Sequence, residues 1–220
     1  MIHKTTDANH PDARHGLSQR LFAWAYGQIE GDPDFYEQTV GDYKRWLFSD
    51  ITGMILEIGA GTGANFAYYP RGVRWLGIEP NVFMHDNLLK MAEKHGIQGE
   101  IRVGVAERLQ ADDNSVDAVV STLVLCSVAD QDAVLREILR VLKPGGRLAF
   151  VEHVAAEPHT RLRTFQALIK PVWKFAADGC NTDRDTAGAV QRAGFSSVEI
   201  KAFRAPLPVV SPHIAGKAIK

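Results

Sequence analysis

The chain has little of several features that mark specialised classes of protein. Only two cysteines occur among 220 residues, Cys126 and Cys180, which are too few for a disulfide framework and match no zinc-ligand spacing. Neither sign of charge is in excess, since 25 basic and 26 acidic residues give a net charge of −1. That balance argues against a nucleic-acid-binding protein. We therefore expect a cytoplasmic protein of the reducing compartment, without a metal site.

Long apolar runs are also missing. The longest uncharged stretch of the apolar middle, 118–129, is too short to cross a bilayer. The polar stretch 1–15 has no apolar segment of the kind that a signal peptide needs. We expect no transmembrane segment, whereas the oligomeric state and contact with a membrane surface are left open.

What the chain does have is a regular alternation of strand-like and helix-like apolar patterns. Strands are predicted at 54–58, 74–78, 100–104, 116–121, 147–153, 197–203 and 213–219, and helices at 33–48, 64–69, 83–95, 131–141 and 184–193. This alternation predicts an α/β, Rossmann-like fold with a seven-stranded, mostly parallel sheet and helices on both faces. No helix separates the last two strands, so the final strand should run antiparallel in a hairpin. The segment 143–146, Lys-Pro-Gly-Gly, should stop a helix and turn into the fifth strand.

Two amphipathic stretches lie outside this alternation. Residues 17–26 and 160–178 both place apolar side chains at helical spacing, and Pro171 should kink the second. We divide the chain into an N-terminal segment with a lid-like helix, 1–32, and a main domain, 33–220, with a helical insertion at about 155–183. Both helices either cover the sheet edge or form a lid over an apolar acceptor pocket; docking on a membrane surface is a weaker reading.

The most informative segment is 55–63, Ile-Leu-Glu-Ile-Gly-Ala-Gly-Thr-Gly. It reads as a buried strand followed by glycines that let the backbone turn sharply and approach a ligand. A second apolar run ends at Glu79, whose carboxylate can accept hydrogen bonds from both ribose hydroxyls. Together they predict a nucleoside-binding crevice at the carboxyl ends of parallel strands.

The glycine pattern alone is compatible with two kinds of nucleoside. Gly59, Gly61 and Ala64 also fit the dinucleotide pattern, and Glu79 follows Gly59 by 20 residues, as in nicotinamide enzymes. Glu57, however, should point an anionic group at the crevice, which would repel a pyrophosphate and suit an ammonium and a sulfonium. The pattern therefore favours S-adenosylmethionine (AdoMet), and a nicotinamide oxidoreductase is the alternative.

From about residue 42 to the end, the chain resembles class I AdoMet-dependent methyltransferases, on the acid-glycine loop, Glu79 and the turn at 142–146. A narrower resemblance, to the methyltransferase-like thiol S-methyltransferases of animals, rests on the strings at 63–66, 69–70, 122–128, 152–154, 178–181 and 212–218. That group carries an N-terminal hydrophobic membrane anchor that is not found here, and an aspartate where this chain has Glu79.

The resemblance implies a set of cofactor-binding residues. The glycines should pass the methionine portion with Glu57 oriented toward its ammonium, and Glu79 should bind the ribose. The segment around Glu107 should hold the adenine, unless that acid is simply a solvated helix start. The implied set is Glu57, Gly59, Gly61, Gly63, Glu79, Pro80, Asn81, Ala106, Glu107, Thr122 and Leu123.

Three further residues are candidates for catalysis. His153 ends the fifth strand, where site residues of an open α/β sheet gather, so it is a candidate base or else a structural histidine. Asp178 and Asn181 flank Cys180 after the second amphipathic stretch, either beside the acceptor or as turn and cap residues. Cys126 is expected to pack as a small apolar side chain.

We predict a methyltransferase that acts on a small-molecule acceptor, preferably an alkyl thiol. A thiol needs little help to ionise near neutral pH, whereas an alcohol would need an unmistakable base. An N-methyltransferase for a lipid headgroup or small amine is the nearest alternative. Arsenite methylation is disfavoured by the shortage of cysteine, and a binding scaffold without turnover would be the non-enzymatic alternative.

Overall fold

The computed structural model describes residues 2–5, 13, 16–29 and 37–220. Its strands are β1 (Ile2–Thr5), β2 (Met54–Ile58), β3 (Arg74–Ile78), β4 (Gln98–Arg102), β5 (Val116–Thr122), β6 (Leu142–His153), β7 (Ser197–Arg204) and β8 (Pro212–Ile219). They form one sheet in the order β1-β4-β3-β2-β5-β6-β8-β7. All neighbours are parallel except that β8 runs antiparallel to both β6 and β7. The predicted α/β class and the antiparallel final strand are confirmed.

One strand of this sheet was not predicted. Ile2–Thr5 pairs in parallel with β4, in the register Ile2 to Gly99 and Thr5 to Arg102, and so adds an eighth strand at the edge. Its four residues contain one strongly apolar side chain, which is too little for a periodicity signal. Residues 2–5 therefore belong to the sheet, although the sequence pattern assigns them to a segment outside it.

The helices are α1 (Leu17–Ile29), α2 (Asp42–Phe48), α3 (His85–His95), α4 (Gln131–Val141), α5 (Arg161–Ala176) and α6 (Thr186–Arg192). A π-helical turn, Glu37–Gly41, precedes α2, and 3₁₀ turns occur at Phe66–Tyr68 and Val82–Met84. Part of the predicted helix at 33–48 lies outside the described residues. The predicted helix at 64–69 is only a 3₁₀ turn.

The segment 143–146 departs from its predicted turn. The helix does stop before it, at Val141, but the strand already begins at Leu142. The pairing of β5 and β6 shifts between Val116 and Ala118, so the four residues bulge out of β6. Gly145 permits this with a φ of +77°.

Apolar side chains on both sheet faces position the carboxyl ends of the central strands. Nearly every residue of β2 is buried, as expected for a central parallel strand. One cluster packs α4 and α6 on one face, through residues such as Leu135 and Val190, and a second packs α2 and α3 on the other face, through residues such as Phe48 and Leu88. The middle of the sheet is consequently rigid, and the loops at its carboxyl end can form a site.

The two amphipathic stretches are the helices α1 and α5, and α5 is continuous through Pro171. They contact each other near the carboxyl end of the sheet, where Gln19 Nε2 donates to Asp178 Oδ1 at 3.4 Å. No helix in the described part of the chain is long and apolar enough to span a membrane.

Candidate active site

A cavity of about 480 Å³ opens at the carboxyl ends of β2, β3, β5 and β6. Its walls come from the glycine loop after β2, the ends of β3 and β5, and the helices α1 and α5. Most of the lining is apolar, with Phe22 and Tyr26 from α1 and Trp173 from α5. The crevice predicted from the glycine pattern is present, and the two amphipathic helices border it.

The glycine loop uses its three glycines in different ways. Gly59, Gly61 and Gly63 all have positive φ, at +60°, +56° and +91°. At Gly61 an added Cβ would make only ordinary van der Waals contact, with Met84 Sδ 3.7 Å away, whereas at Gly59 it would meet Val124 at 2.4 Å. Gly59 and Gly61 line the cavity; Gly63 does not, and there an added Cβ would meet the Phe66 ring at 2.7 Å. Gly61 is thus the position where bare backbone faces the cavity.

Glu79 is fixed at the end of β3 by the backbone around it. Its Oε2 accepts from Gly61 N and its Oε1 accepts from Asn81 N, both at 2.8 Å. The side chain is 5% exposed and lines the cavity. A carboxylate oxygen can accept more than one hydrogen bond, so these contacts are compatible with ribose hydroxyls. They also couple the Glu79 carboxylate to the glycine loop.

Asn81 does not lie where the sequence pattern predicts. Pro80 lines the cavity, but the Asn81 side chain is fully buried and its oxygen caps the turn Val82–Met84 by accepting from Phe83 N. Its Nδ2 donates to the Gln19 carbonyl at 3.1 Å. Asn81 therefore tethers α1 to the loop after β3 and does not form an edge of the adenine site.

The side chain of Glu57 does not have its predicted orientation. We expect it to point into the crevice, but it is 1% exposed and is absent from the cavity wall. Its carboxylate accepts from Asn65 Nδ2 at 2.7 Å, Tyr69 Oη at 2.8 Å and Trp75 Nε1 at 2.7 Å. Burial raises the pKa of Glu57, and these three donors oppose that rise. The carboxylate stabilises the loop from behind.

The segment that is predicted to hold the adenine lies on the cavity wall. Ala106 and Glu107 line the cavity beside Gly104 and Val105. Glu107 Oε1 accepts from Ala129 N at 2.7 Å and from Asp130 N at 3.4 Å, at the start of α4. Glu107 thus ties the loop after β4 to the loop after β5, rather than standing in solvent.

The loop after β5 is held by a residue that the sequence pattern does not single out. Glu152 Oε1 accepts from Ser121 Oγ at 2.7 Å and from the Val124 and Leu125 amides at 3.1 Å. These bonds stabilise the turn in which Leu123 has a φ of +58°, a conformation that side chains disfavour. Thr122 and Leu123 line the cavity at this point, as predicted. A buried acid next to a predicted site histidine could have signalled this role.

A cluster of thiol and imidazole groups lies at the far end of the cavity. His153 Nε2 is 2.8 Å from Cys180 Sγ, and Trp173 Nε1 donates to the same sulfur at 3.1 Å. Hydrogen bonds from Cys126 and from these two side chains lower the pKa of Cys180 to about 5. The hydrogen bond with Cys180, together with burial, raises the pKa of Cys126. Cys126, which is expected to pack as a small apolar side chain, and Cys180 therefore both belong to the polar cluster at this end of the cavity.

The two polar residues beside Cys180 have different surroundings. Asp178, with a φ of +45°, lines the cavity and accepts from Gln19. Asn181 is 5% exposed and donates to the carbonyls of Cys126 and Gly179, at 2.9 Å and 3.1 Å. Asn181 does not line the cavity, so its catalytic assignment is replaced by a structural one: it fixes Cys180 beside Cys126.

These features can be compared with known proteins. A family model for a methyltransferase domain matches residues 56–150. Human thiol S-methyltransferase TMT1A is 43% identical over 198 residues, covering 84% of this chain and 81% of the human protein. Rat thiol S-methyltransferase TMT1B is 42% identical over 191 residues, covering 80% and 78%. The chain belongs to the methyltransferase family of these two relatives.

The fold comparison agrees. An S-adenosylmethionine-dependent methyltransferase from Thermotoga maritima superposes with a TM-score of 0.67 at 20% identity, covering 92% of this chain and 98% of the other. The protein is an AdoMet-dependent methyltransferase, and AdoMet is its cofactor. The open backbone at Gly61 and the carboxylate of Glu79 on the cavity wall fit such a ligand.

Removing the Glu79 carboxylate should weaken cofactor binding by this methyltransferase. We expect Glu79→Ala to cost about 1.5–3 kcal/mol, roughly a 10- to 150-fold rise in Kd, because a charge-assisted hydrogen bond is lost. Titration calorimetry with S-adenosylhomocysteine measures it. Glu79→Gln, which keeps one acceptor, should fall between that variant and the wild type. A wild-type Kd for Glu79→Ala would place the ribose elsewhere.

His213, at the start of β8, gives the fold a pH dependence. Burial lowers the pKa of His213 to about 4. The hydrogen bond with the Ser211 carbonyl favours the charged form and opposes this shift only in part. The unfolded chain then binds more protons between pH 6.5 and about 4, so stability falls as the pH drops through that window. We expect the titration of His213 to lower the free energy of unfolding by about 3 kcal/mol across this window. Urea unfolding of wild type and His213→Asn across this range measures it; equal slopes would contradict the assignment.

Proposed function

We propose that this methyltransferase transfers the AdoMet methyl group to the sulfur of a small, apolar thiol. The observation that carries the proposal is the far end of the cavity, where the apolar walls meet the cluster of Cys126, His153 and Cys180. The relatives named as thiol S-methyltransferases support the same substrate class.

At the donor end, each predicted residue is assigned a part. Gly59 and Gly61 let the methionine portion pass close to the backbone. Glu79 accepts hydrogen bonds from the ribose hydroxyls, with Pro80 beside it, while Ala106 and Glu107 flank the adenine. Thr122 and Leu123 lie between this end and the thiol cluster, so they flank the methyl group. Glu57, Gly63 and Asn81 support the loop and make no contact with the cofactor.

AdoMet supplies an activated methyl group with a good leaving group. The protein then has mainly to align the acceptor, and alignment is worth about 7–11 kcal/mol. Ionising a thiol of pKa about 8.5 at neutral pH costs under about 2.5 kcal/mol, so the modest set of titratable groups here suffices for sulfur. Of the predicted catalytic residues, His153 and Asp178 line the cavity, and we assign His153 to the acceptor.

The test is a panel of acceptors. We expect purified protein with AdoMet to form S-adenosylhomocysteine with alkyl thiols, and not with amines or phenols of matched size. Gly61→Val protein is the control, because it keeps the acceptor end and should not bind the cofactor. Turnover with amines or lipid headgroups alone would support N-methylation instead. No turnover on any acceptor would support a scaffold, and saturable NAD(P)H binding an oxidoreductase.

We also propose that α1 and α5 form a lid over the acceptor. Their inner faces line the cavity through Phe22, Tyr26 and Trp173, and their outer faces expose seven large apolar side chains: Leu17, Leu21, Trp24, Phe165, Leu168, Val172 and Phe175. S-adenosylhomocysteine should slow tryptic cleavage after the exposed Arg20 if the lid closes. Sedimentation with vesicles tests membrane contact as the competing use of these faces. A cytoplasmic location remains a prediction.

A further inference from the structure

The acceptor end of the cavity has the composition of a metal site. Cys126 Sγ, Cys180 Sγ and His153 Nε2 all lie within 4.8 Å of one another, and all three residues are buried. Two sulfurs and an imidazole nitrogen are a ligand set that zinc takes in catalytic sites, with a fourth position left for water or substrate. The residues are separated by 27 positions in each step along the chain, so no sequence motif shows them.

We infer that Cys126, His153 and Cys180 bind a zinc ion whose fourth coordination position, open to the cavity, takes the sulfur of the acceptor thiol. This inference rests on the proposed thiol methylation and names how its acceptor is recognised. Each of the three residues lines the same cavity as Thr122 and Leu123. The metal would therefore hold the acceptor sulfur close to the methyl group.

The geometry needs only a small adjustment. Tetrahedral zinc with bonds of about 2.3 Å to sulfur and about 2.0–2.1 Å to nitrogen sets neighbouring ligand atoms about 3.5–3.8 Å apart. His153 Nε2 and Cys180 Sγ, now 2.8 Å apart, would separate by less than about 1 Å. The Trp173 indole donates to Cys180 Sγ, and the Asn181 side chain holds the Cys126 carbonyl. Such outer contacts orient metal ligands.

The charges of the site also call for a cation. The buried Glu152 carboxylate accepts from the Val124 and Leu125 amides and so adds an acidic group beside the loop that carries Cys126. Glu152 Oε2 has no hydrogen-bond partner in the described part of the chain. Zn²⁺ with two thiolates and a neutral imidazole is electrically neutral, and binding of a third thiolate gives a charge of −1 opposite the sulfonium. Burial strengthens this attraction.

The reaction balances without a further reactant. The acceptor thiol gives its proton to solvent when its sulfur binds the metal, because coordination deprotonates a thiol outright. A lone pair of that sulfur then forms the bond to the methyl carbon, and the bond from this carbon to the sulfonium breaks with its electron pair left on S-adenosylhomocysteine. The product thioether is neutral and a weaker ligand than a thiolate, so it leaves the metal. Amines and phenols, as harder ligands, would be disfavoured.

Metal binding is tested first on wild-type protein, stripped with a chelator and kept reduced. We expect one Zn²⁺ per chain in competition with a chromophoric chelator, and thiolate-to-cobalt absorption when Co²⁺ is used instead. Cys126→Ser and Cys180→Ser should lose that absorption. His95→Asn is the control, because this histidine ends α3, is not on the cavity wall and should keep the absorption. Failure of reduced, folded wild type to take up either metal would overturn the inference, as would uptake that survives Cys180→Ser.

Two more measurements separate this inference from the proposed function. Adding an alkyl thiol to the cobalt form, without cofactor, should change the absorption, whereas a matched amine should not. Restoring zinc should raise thiol methylation at pH 7 at least 30-fold and move the half-maximal pH below the thiol's own pKa of about 8.5. Equal thiol turnover by stripped and zinc-loaded protein would refute the metal while leaving thiol methylation intact. Metal binding without turnover on any thiol would refute the proposed function, and absence of metal binding once both cysteines are shown to be reduced would refute the site.

Discussion

Gly61→Val is expected to abolish AdoMet binding while leaving the protein folded. The Cβ position of Gly61 faces the cavity with no atom nearer than Met84 Sδ at 3.7 Å, so the valine methyl groups would occupy ligand space rather than protein space. The amide of Gly61 itself donates to Glu79 Oε2, so the loop cannot easily move away. We expect S-adenosylhomocysteine to give no measurable heat in calorimetry, a loss of at least about 3 kcal/mol of binding free energy.

The control for backbone strain is Gly72→Val. Gly72 also has a positive φ, +85°, and no atom lies within 4 Å of its Cβ position, but it is not on the cavity wall. Both variants should lose about 1–2 kcal/mol of stability, because a side chain disfavours the left-handed conformation. Only Gly61→Val should lose the ligand. Unchanged affinity in Gly61→Val would refute the assignment of the loop to the cofactor.

Glu57→Leu is expected to produce the largest loss of stability. The substitution leaves three buried donors, on Asn65, Tyr69 and Trp75, without the carboxylate that accepts from them. Each unsatisfied donor costs about 1–3 kcal/mol, so the free energy of unfolding should fall by about 3–9 kcal/mol. That is a large share of the 5–15 kcal/mol typical of a domain. Denaturant unfolding at neutral pH measures the loss.

Glu57→Gln separates the structural role from a role in binding. It keeps the shape and one acceptor oxygen, so it should fold with a loss of about 1–3 kcal/mol. Because Glu57 lies behind the loop and off the cavity wall, we expect the Kd for AdoMet to change by less than about fivefold, under 1 kcal/mol. A much larger change, with the fold intact, would restore the direct contact with the ammonium that the sequence pattern suggests.

The contrast between Glu57 and Glu79 shows how far sequence reasoning reaches. Both acids stand at the end of an apolar strand, and both were assigned to the cofactor. Glu79 meets the cavity because its carboxylate is held by backbone amides of its own and the adjacent loop. Glu57 is turned away because Tyr69 and Trp75, from later parts of the chain, bring their donors to the opposite side. The positions of those donors depend on packing, which periodicity does not report.

The strands of the sheet show the same limit of local sequence patterns. Seven strands were predicted from apolar patterns that persist over five or more residues, and the final antiparallel strand from the missing helix before it. The strand Ile2–Thr5 was not predicted, because it is stabilised by backbone pairing with β4 and has no apolar pattern of its own. The bulge at 143–146 was not predicted either, because it depends on the register in which β6 pairs with β5.

By itself, the sequence determined the α/β class, the glycine loop, the acid Glu79 at the end of the next strand and the relation to methyltransferases, because each depends on residues that are close along the chain. Only the tertiary structure decided which side chains face the cavity. It brings Cys126, His153 and Cys180 together at one end and turns Glu57 and Asn181 away from it. The physical reason is that parallel strands place their carboxyl ends side by side whatever the length of chain between them, so the chemistry of the site depends on contacts that no local pattern contains.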